Sequence, residues 1–367
     1  MSSGFHPYAW TLWLVGSMAA VLLTRNPFYL AILLAAAGFL FATLARRAAH
    51  EGGDATKRPM TWGMVVRLAL LLWGFAILFN ALTVHVGERV LFVLPPSWPL
   101  IGGPITLEAL IYGFITGLNF VALILIFAIY NSALGPQTIL RMIPGFAYQT
   151  GVAVSIAIAF IPQTLIAWND IREAQRLRGH RVKGLSDFLP LFVSLLSYGL
   201  DRAIQLAESM DARGFGGRPL PASRRETWLI RGSAILGLFL LLMGLATKSY
   251  YRAASWPGLV MLTLGAALMG LSLWRSGRRT WRTRYRRWRW RPRDAALAAG
   301  SGLFLAAIIL LTWFASQTLF YYPYPPYPLL PDFNPLLGLL FILPLLPALL
   351  LPPAPRSDIR DLRSEAD

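Results

Sequence analysis

The chain has 367 residues and a formal net charge of +17 at pH 7; 56% of its residues are apolar and the mean hydropathy is +0.54. With no cysteine it holds neither disulfides nor thiolate metal sites. His6, His50, His85 and His180 are too scattered to form a ligand-spaced cluster, so no metal or cofactor is expected. The charge is almost wholly arginine, with Lys57, Lys183 and Lys248 as the lysines, and it lies between apolar runs. Such a pattern suits loops facing membrane lipids or an acidic partner and argues against nucleic acid.

Several apolar runs reach the roughly 20 residues that a hydrocarbon core about 30 Å thick demands of a helix. The chain therefore reads as an all-α polytopic membrane protein. The N-terminus, MSSGFHPYAW, lacks the basic region of a cleaved signal peptide. Spans are expected at about 9–24, 28–45, 62–83 and 106–130, the first two joined by a tight turn at Arg25, Asn26 and Pro27. Arg46, Arg47, Lys57 and Arg58 place the loop after the second span on the cytoplasmic side. Between the third and fourth spans, the loop from His85 to Glu108 is rich in proline and glycine and is read as a long outer loop with room for a short surface helix. His85, Glu88 and Glu108 are expected at the outer boundary in hydrogen-bonded or interfacial roles.

Two further apolar runs lie between Thr150 and Leu200. If both crossed, Arg172, Arg176, Arg178, Arg181 and Lys183 would face outward, against the positive-inside rule. The region 131–227 is therefore read as cytoplasmic, its two long helices lying at the inner face, with Pro162 bending the first. In the second, Phe188, Phe192, Leu195, Gly199, Ala203, Leu206 and Met210 recur at steps of three and four, while Asp201, Gln205, Glu208 and Asp211 take another face. Four more spans follow near 228–247, 256–274, 296–320 and 335–352. The loop from Arg275 to Arg293 carries ten arginines interleaved with Trp281, Tyr285, Trp288 and Trp290, and parity puts it inside. The loop YYPYPPYPLLPDFN has no basic residue and is assigned outside. The organisation expected is a four-span bundle at 1–130, a cytoplasmic domain at 131–227, a four-span region at 228–352 and a cytoplasmic tail at 353–367.

Chemistry-bearing motifs are few. No phosphate-binding loop of the Gly-x-x-x-x-Gly-Lys type, nucleophile elbow or zinc-protease helix occurs, so no enzyme activity is expected. What stands out is a repeated helix ending. Leu177, Arg178 and Gly179 close the first cytoplasmic helix, and Ala212, Arg213 and Gly214 close the second; in both a glutamate, Glu173 or Glu208, sits five residues before the arginine. Each Arg-Gly pair is good helix-stop chemistry, because a cation meets the negative end of the macrodipole and glycine adopts the left-handed conformation.

The Gln-Arg-x-Arg-Gly ending at Gln175–Gly179, the Met-Asp-Ala-Arg-Gly-Phe-Gly stretch at Met210–Gly216, and Phe160-Ile161-Pro162 upstream resemble the transmembrane T component of energy-coupling factor importers, the EcfT/CbiQ family. The resemblance covers roughly Trp10 to Ile230. Beside the about eight transmembrane helices read above, it implies a cytoplasmic pair of long amphipathic coupling helices, whose ends dock into two ABC ATPase subunits while the membrane helices hold a small substrate-binding S component. Carried over, Leu177, Arg178, Gly179, Ala212, Arg213 and Gly214 would contact the ATPases, supported by Glu173, Gln175, Glu208 and Asp211. The apolar residues Phe188, Phe192, Leu195, Leu206 and Met210 would face the S component. Leu177 departs from the alanine that the family prefers. The resemblance further implies a bacterial or archaeal plasma membrane and, as cargo, a vitamin or a transition-metal ion such as cobalt. A self-contained secondary transporter stays open beside this reading, as does a membrane enzyme that clamps lipid phosphates with the arginines of 275–293.

Overall fold

Hydrocarbon offers no partner to a peptide group, so a chain this apolar satisfies its backbone inside helices. The computed structural model describes residues 5–50, 62–95, 102–179, 185–215, 223–250, 256–278, 289–314, 316–325 and 327–351. The tail, the stretch 279–288 of the arginine-rich loop, and His180 to Gly184 lie outside the described residues. In order come α1 (Pro7–Leu23), α2 (Pro27–His50), α3 (Trp62–Thr83), β1 (Val90–Val93), β2 (Pro104–Thr106), α4 (Leu107–Ala133), α5 (Pro136–Arg141), α6 (Tyr148–Leu177), α7 (Leu185–Ala212), α8 (Arg224–Tyr250), α9 (Trp256–Arg278), α10 (Pro292–Phe314), α11 (Ser316–Leu319), α12 (Pro335–Leu340) and α13 (Leu346–Leu350). The fold is all-α and polytopic. Among the described residues seven helices are long and apolar enough to cross a membrane, within α2, α3, α4, α6, α8, α9 and α10.

That set differs in detail from the eight spans read from hydropathy. At 17 residues α1 is about 26 Å long. The run expected as one span at 335–352 is broken into α12, a 3₁₀ turn at Leu343–Leu345, and α13, because Pro344 and Pro347 cannot continue an α-helix. The first part of α6 is itself apolar enough to cross. In the loop from His85 to Glu108 the described residues form β1 and β2, which pair antiparallel, as suits the β-branched and aromatic residues Val90, Phe92, Val93 and Ile105.

Contacts divide the chain into two units, 1–139 with 287–367, and 140–286. The region 228–352, expected as one piece, is thus split: α8 and α9 pack on each other, whereas α10 packs on α1. In the first unit α1 and α10 run parallel. His6 N–H donates to Asp294 Oδ1 at 2.8 Å near both helix starts, and two turns later Gly16 lies against the Ser301 carbonyl, where an added Cβ would sit at 3.2 Å. Around this seam Trp10, Trp13, Tyr29, Leu30, Leu33, Leu40 and Phe341 are fully buried. Trp13 Nε1 donates to the Pro344 carbonyl at 2.9 Å, so the broken C-terminal helix is tied to α1. Tyr29 stacks on Phe341 with centroids 5.1 Å apart. Helices α3 and α4 form an antiparallel pair in which Gly113 abuts Ile77, and Gly117 admits the Trp73 ring.

The ends of the first unit sort its loops as the charge pattern does. At one end the turn at Arg25 and Asn26, the start of α4 and the tyrosine-rich loop meet: Arg25 Nη1 donates to Tyr112 Oη at 3.1 Å, Asn26 Nδ2 to the Asp332 carbonyl at 2.8 Å, and the Tyr112 and Tyr324 rings lie 5.7 Å apart. The last two were read as outer. At the other end His6 stacks on Trp290 at 4.3 Å beside Arg291, whose N–H donates to Asp294 Oδ2.

Candidate functional site

The two Arg-Gly endings take the same local form. After Leu177, the last residue of α6, Gly179 has φ +82° and its N–H donates to the Arg176 carbonyl at 3.0 Å. Beyond Ala212, Gly214 has φ +70°; its N–H donates to the Asp211 carbonyl at 2.8 Å, and Phe215 N–H reaches the Met210 carbonyl at 2.9 Å. These two bonds are the pair that defines a Schellman cap, and the first ending shares the inner one. A Cβ on either glycine would meet nothing within 4 Å. Backbone conformation, not crowding, therefore calls for glycine, since a left-handed α conformation costs an L-residue about 1–2 kcal/mol.

Both endings are open to their surroundings. Leu177 is 85% exposed, and Arg178, Gly179, Ala212, Arg213 and Gly214 are exposed as well. Glu173, Glu208 and Asp211 are exposed and Gln175 is half-buried. Among the described residues neither guanidinium meets a carboxylate, and each side chain, with its five N–H donors, is exposed. A planar fork of that kind suits a carboxylate on another molecule, which it can hold through two parallel hydrogen bonds.

Helix pairing sets the distance between them. The Trp168 and Phe188 rings are 5.4 Å apart, the Arg202 guanidinium lies 5.8 Å from the centre of the Phe160 ring, and Tyr148 and Phe215 are 6.4 Å apart. Contacts thus advance along α7 as they retreat along α6, and the two helices are antiparallel. Arg178 sits where α6 hands over to α7, and Arg213 sits beside the start of α6. With 28 residues in α7, the two arginines are separated by roughly 42 Å at the standard rise.

The apolar faces are arranged otherwise than the sequence suggests. Leu191 is 1% exposed, and Leu195, Gly199, Arg202, Leu206 and Met210, at helical spacing from it, are half-buried. Phe188 and Phe192 are exposed, stacked on each other at 6.3 Å. The exposed stripe runs through Leu189, Val193, Leu196, Leu200 and Ile204, and α6 adds exposed Ile161, Leu165 and Ile166. Of the five predicted contact residues, Leu195, Leu206 and Met210 therefore belong to the less exposed side. The missed stripe was readable as steps of four, three, four and four.

Searched against known protein families, the chain matches none. Individual relatives do match. It is 33% identical over 101 residues to the energy-coupling factor transporter transmembrane protein EcfT of Bacillus selenitireducens, covering 26% of this chain and 38% of that protein. With EcfT of Lactococcus lactis subsp. cremoris it shares 26% over 203 residues, 49% of this chain and 73% of the relative. The chain is a relative of the EcfT proteins. EcfT of Streptococcus thermophilus is 30% identical over 123 residues, 30% of this chain and 46% of that relative. The matched segments thus span between about two fifths and three quarters of these relatives' length, and their shared name is that of a transporter component, not of an enzyme.

Proposed function

We propose that the chain is the transmembrane scaffold of an ATP-driven energy-coupling factor importer in a bacterial or archaeal plasma membrane. It passes movement from two cytoplasmic ABC ATPase subunits to a small substrate-binding S component, and the cargo is a vitamin or a transition-metal ion. The observation that carries this reading is the pair of exposed arginines, without a carboxylate partner among the described residues, at opposite ends of the antiparallel α6–α7 pair, each on a glycine cap. Two tips roughly 42 Å apart suit two sockets better than one. Arg178 with Leu177 and Gly179 engages one ATPase, Arg213 with Ala212 and Gly214 the other, and the apolar stripe around Phe192, Leu196 and Leu200 carries the motion to the S component.

Antiparallel pairing also bears on sidedness. Were α6 to cross the bilayer, Arg178 and Arg213 would lie on opposite sides, and Arg172, Arg176 and Arg178 would face outward against the charge rule. A pair lying along the inner face avoids both difficulties, with the apolar half of α6 embedded at the interface. The test is direct. Arg178→Glu and Arg213→Glu should each abolish uptake and ATPase co-purification while membrane insertion persists. Full ATPase recovery with the double variant overturns the proposal. Leu177→Cys, in a chain with no other cysteine, should resist an impermeant maleimide applied to intact cells.

A further inference from the structure

The outer hairpin poses a problem that the coupling reading does not touch. From Val90 to Leu107 the sequence has no charged residue, and all four residues of β1 are exposed. A bulge falls between Val90 and Phe92; after it Phe92 pairs with Ile105 and Val93 with Pro104. Successive strand residues point to opposite faces, yet Phe92 and Val93 are each 63% exposed. A hairpin apolar on both faces does not stand in bulk water, where it is an aggregation template.

Its base is fixed. Thr106 Oγ1 donates to the Val86 carbonyl at 2.9 Å and accepts from Ala109 N–H at 3.3 Å, capping α4, while Leu107 N–H donates to the Arg89 carbonyl at 2.9 Å. Glu108, 2% exposed, accepts from Arg89 N–H through Oε1 at 3.3 Å. The hairpin is thus held at the ends of α3 and α4. Phe75, Leu78 and Phe79 in the last turns of α3, and Val86 after it, are exposed as well.

We infer that this hairpin is an interfacial anchor, seated among the headgroups and upper acyl chains of the outer leaflet. A protein partner covers one face of a two-stranded sheet and leaves the other; a fluid lipid layer wraps both. Free strand edges also exclude the deep hydrocarbon core, where they would go unsatisfied, but find water and headgroups at the interface. Exposed Arg89, at the foot of the hairpin, lies where an arginine reaches lipid phosphate.

The absence of native cysteine makes the test clean. Phe92→Cys and Val93→Cys, spin-labelled singly, are placed in vesicles of phosphatidylethanolamine and phosphatidylglycerol together with whatever subunits co-purify. Paramagnetic relaxation by oxygen, which partitions into lipid, is compared with relaxation by a water-soluble nickel chelate, using the free spin label in buffer as the aqueous reference. At both hairpin positions the oxygen-to-nickel ratio should stand severalfold above the reference. A ratio equal to the reference at either position puts that face in water and overturns the inference. A label that is immobilised and shielded from both reagents puts it against protein, which overturns it equally. The outcome is independent of whether Arg178 and Arg213 engage ATPases.

Discussion

The two units differ most in where their apolar surface goes. Residues 1–139 with 287–367 bury Trp10, Trp13, Tyr29 and Phe341 among themselves, and even their loops are tied by hydrogen bonds and ring contacts. Among the described residues of 140–286, Leu191 is the one large apolar side chain that is fully buried; α6 and α7 leave Ile161, Leu165, Ile166, Leu189, Leu196 and Leu200 exposed. One unit holds itself together, while the other is finished only by what surrounds it.

The sharpest way to break that contrast is to truncate one side chain in each unit. Trp13→Ala should destabilise the first unit by about 3–5 kcal/mol through lost packing, and it also orphans the Pro344 carbonyl. Leu196→Ala should leave folding within about 0.5 kcal/mol yet reduce recovery of a membrane partner. Thermal melts in mild detergent, read beside pull-downs, decide; equal losses of stability would erase the distinction. Next in size, Gly117→Val drives a branched side chain into the Trp73 ring, with which a Cβ alone already collides. Overpacking of this kind costs about 1–3 kcal/mol, and the same melts should report it.

Smaller and more local is Gly214→Ala. It should cost about 1–2 kcal/mol at the end of α7, speeding hydrogen exchange over the last turn while leaving the melt of the first unit in place. The smallest expected effect concerns His6. Burial pushes its pKa below the usual 6.5, and nearby Asp294 only partly offsets this. The ring is held neutral, with Nδ1 accepting from Tyr8 N–H at 3.3 Å. Below pH 6.5 the unfolded chain binds the extra proton first, so stability should be full above that pH and fall as acid passes through the lower folded value. His6→Gln should flatten that slope in melts taken from about pH 5 to about pH 7.5.

Much of this was legible in the residues, for physical reasons. Span positions follow from the backbone's need for internal hydrogen bonds, and the grouping of loops follows from arginine placement, which the contacts of Arg25, Asn26 and Trp290 repeat. The two helix stops follow from glycine. Sequence spacing alone did not reveal which helices meet. The parallel seam of α1 and α10 joins segments about 285 residues apart, and nothing periodic announces it. The antiparallel setting of α6 and α7, decided by contacts such as Trp168 with Phe188, turned Leu195 and Leu206 toward the less exposed side. The break at Pro344 and Pro347 was visible but was outweighed by the length of the apolar run. Glu108 lies in the first turn of α4, and its burial beside the β1–β2 pair was not read from the sequence.

The seam between α1 and α10 has a consequence for how the molecule is made. The first helix leaves the ribosome long before its neighbour exists; at about 5–20 residues per second, roughly 15–60 s separate the two. Throughout that wait the side of α1 that α10 will cover has only lipid or an insertion factor for company, so the newborn chain is most vulnerable to misassembly near its beginning.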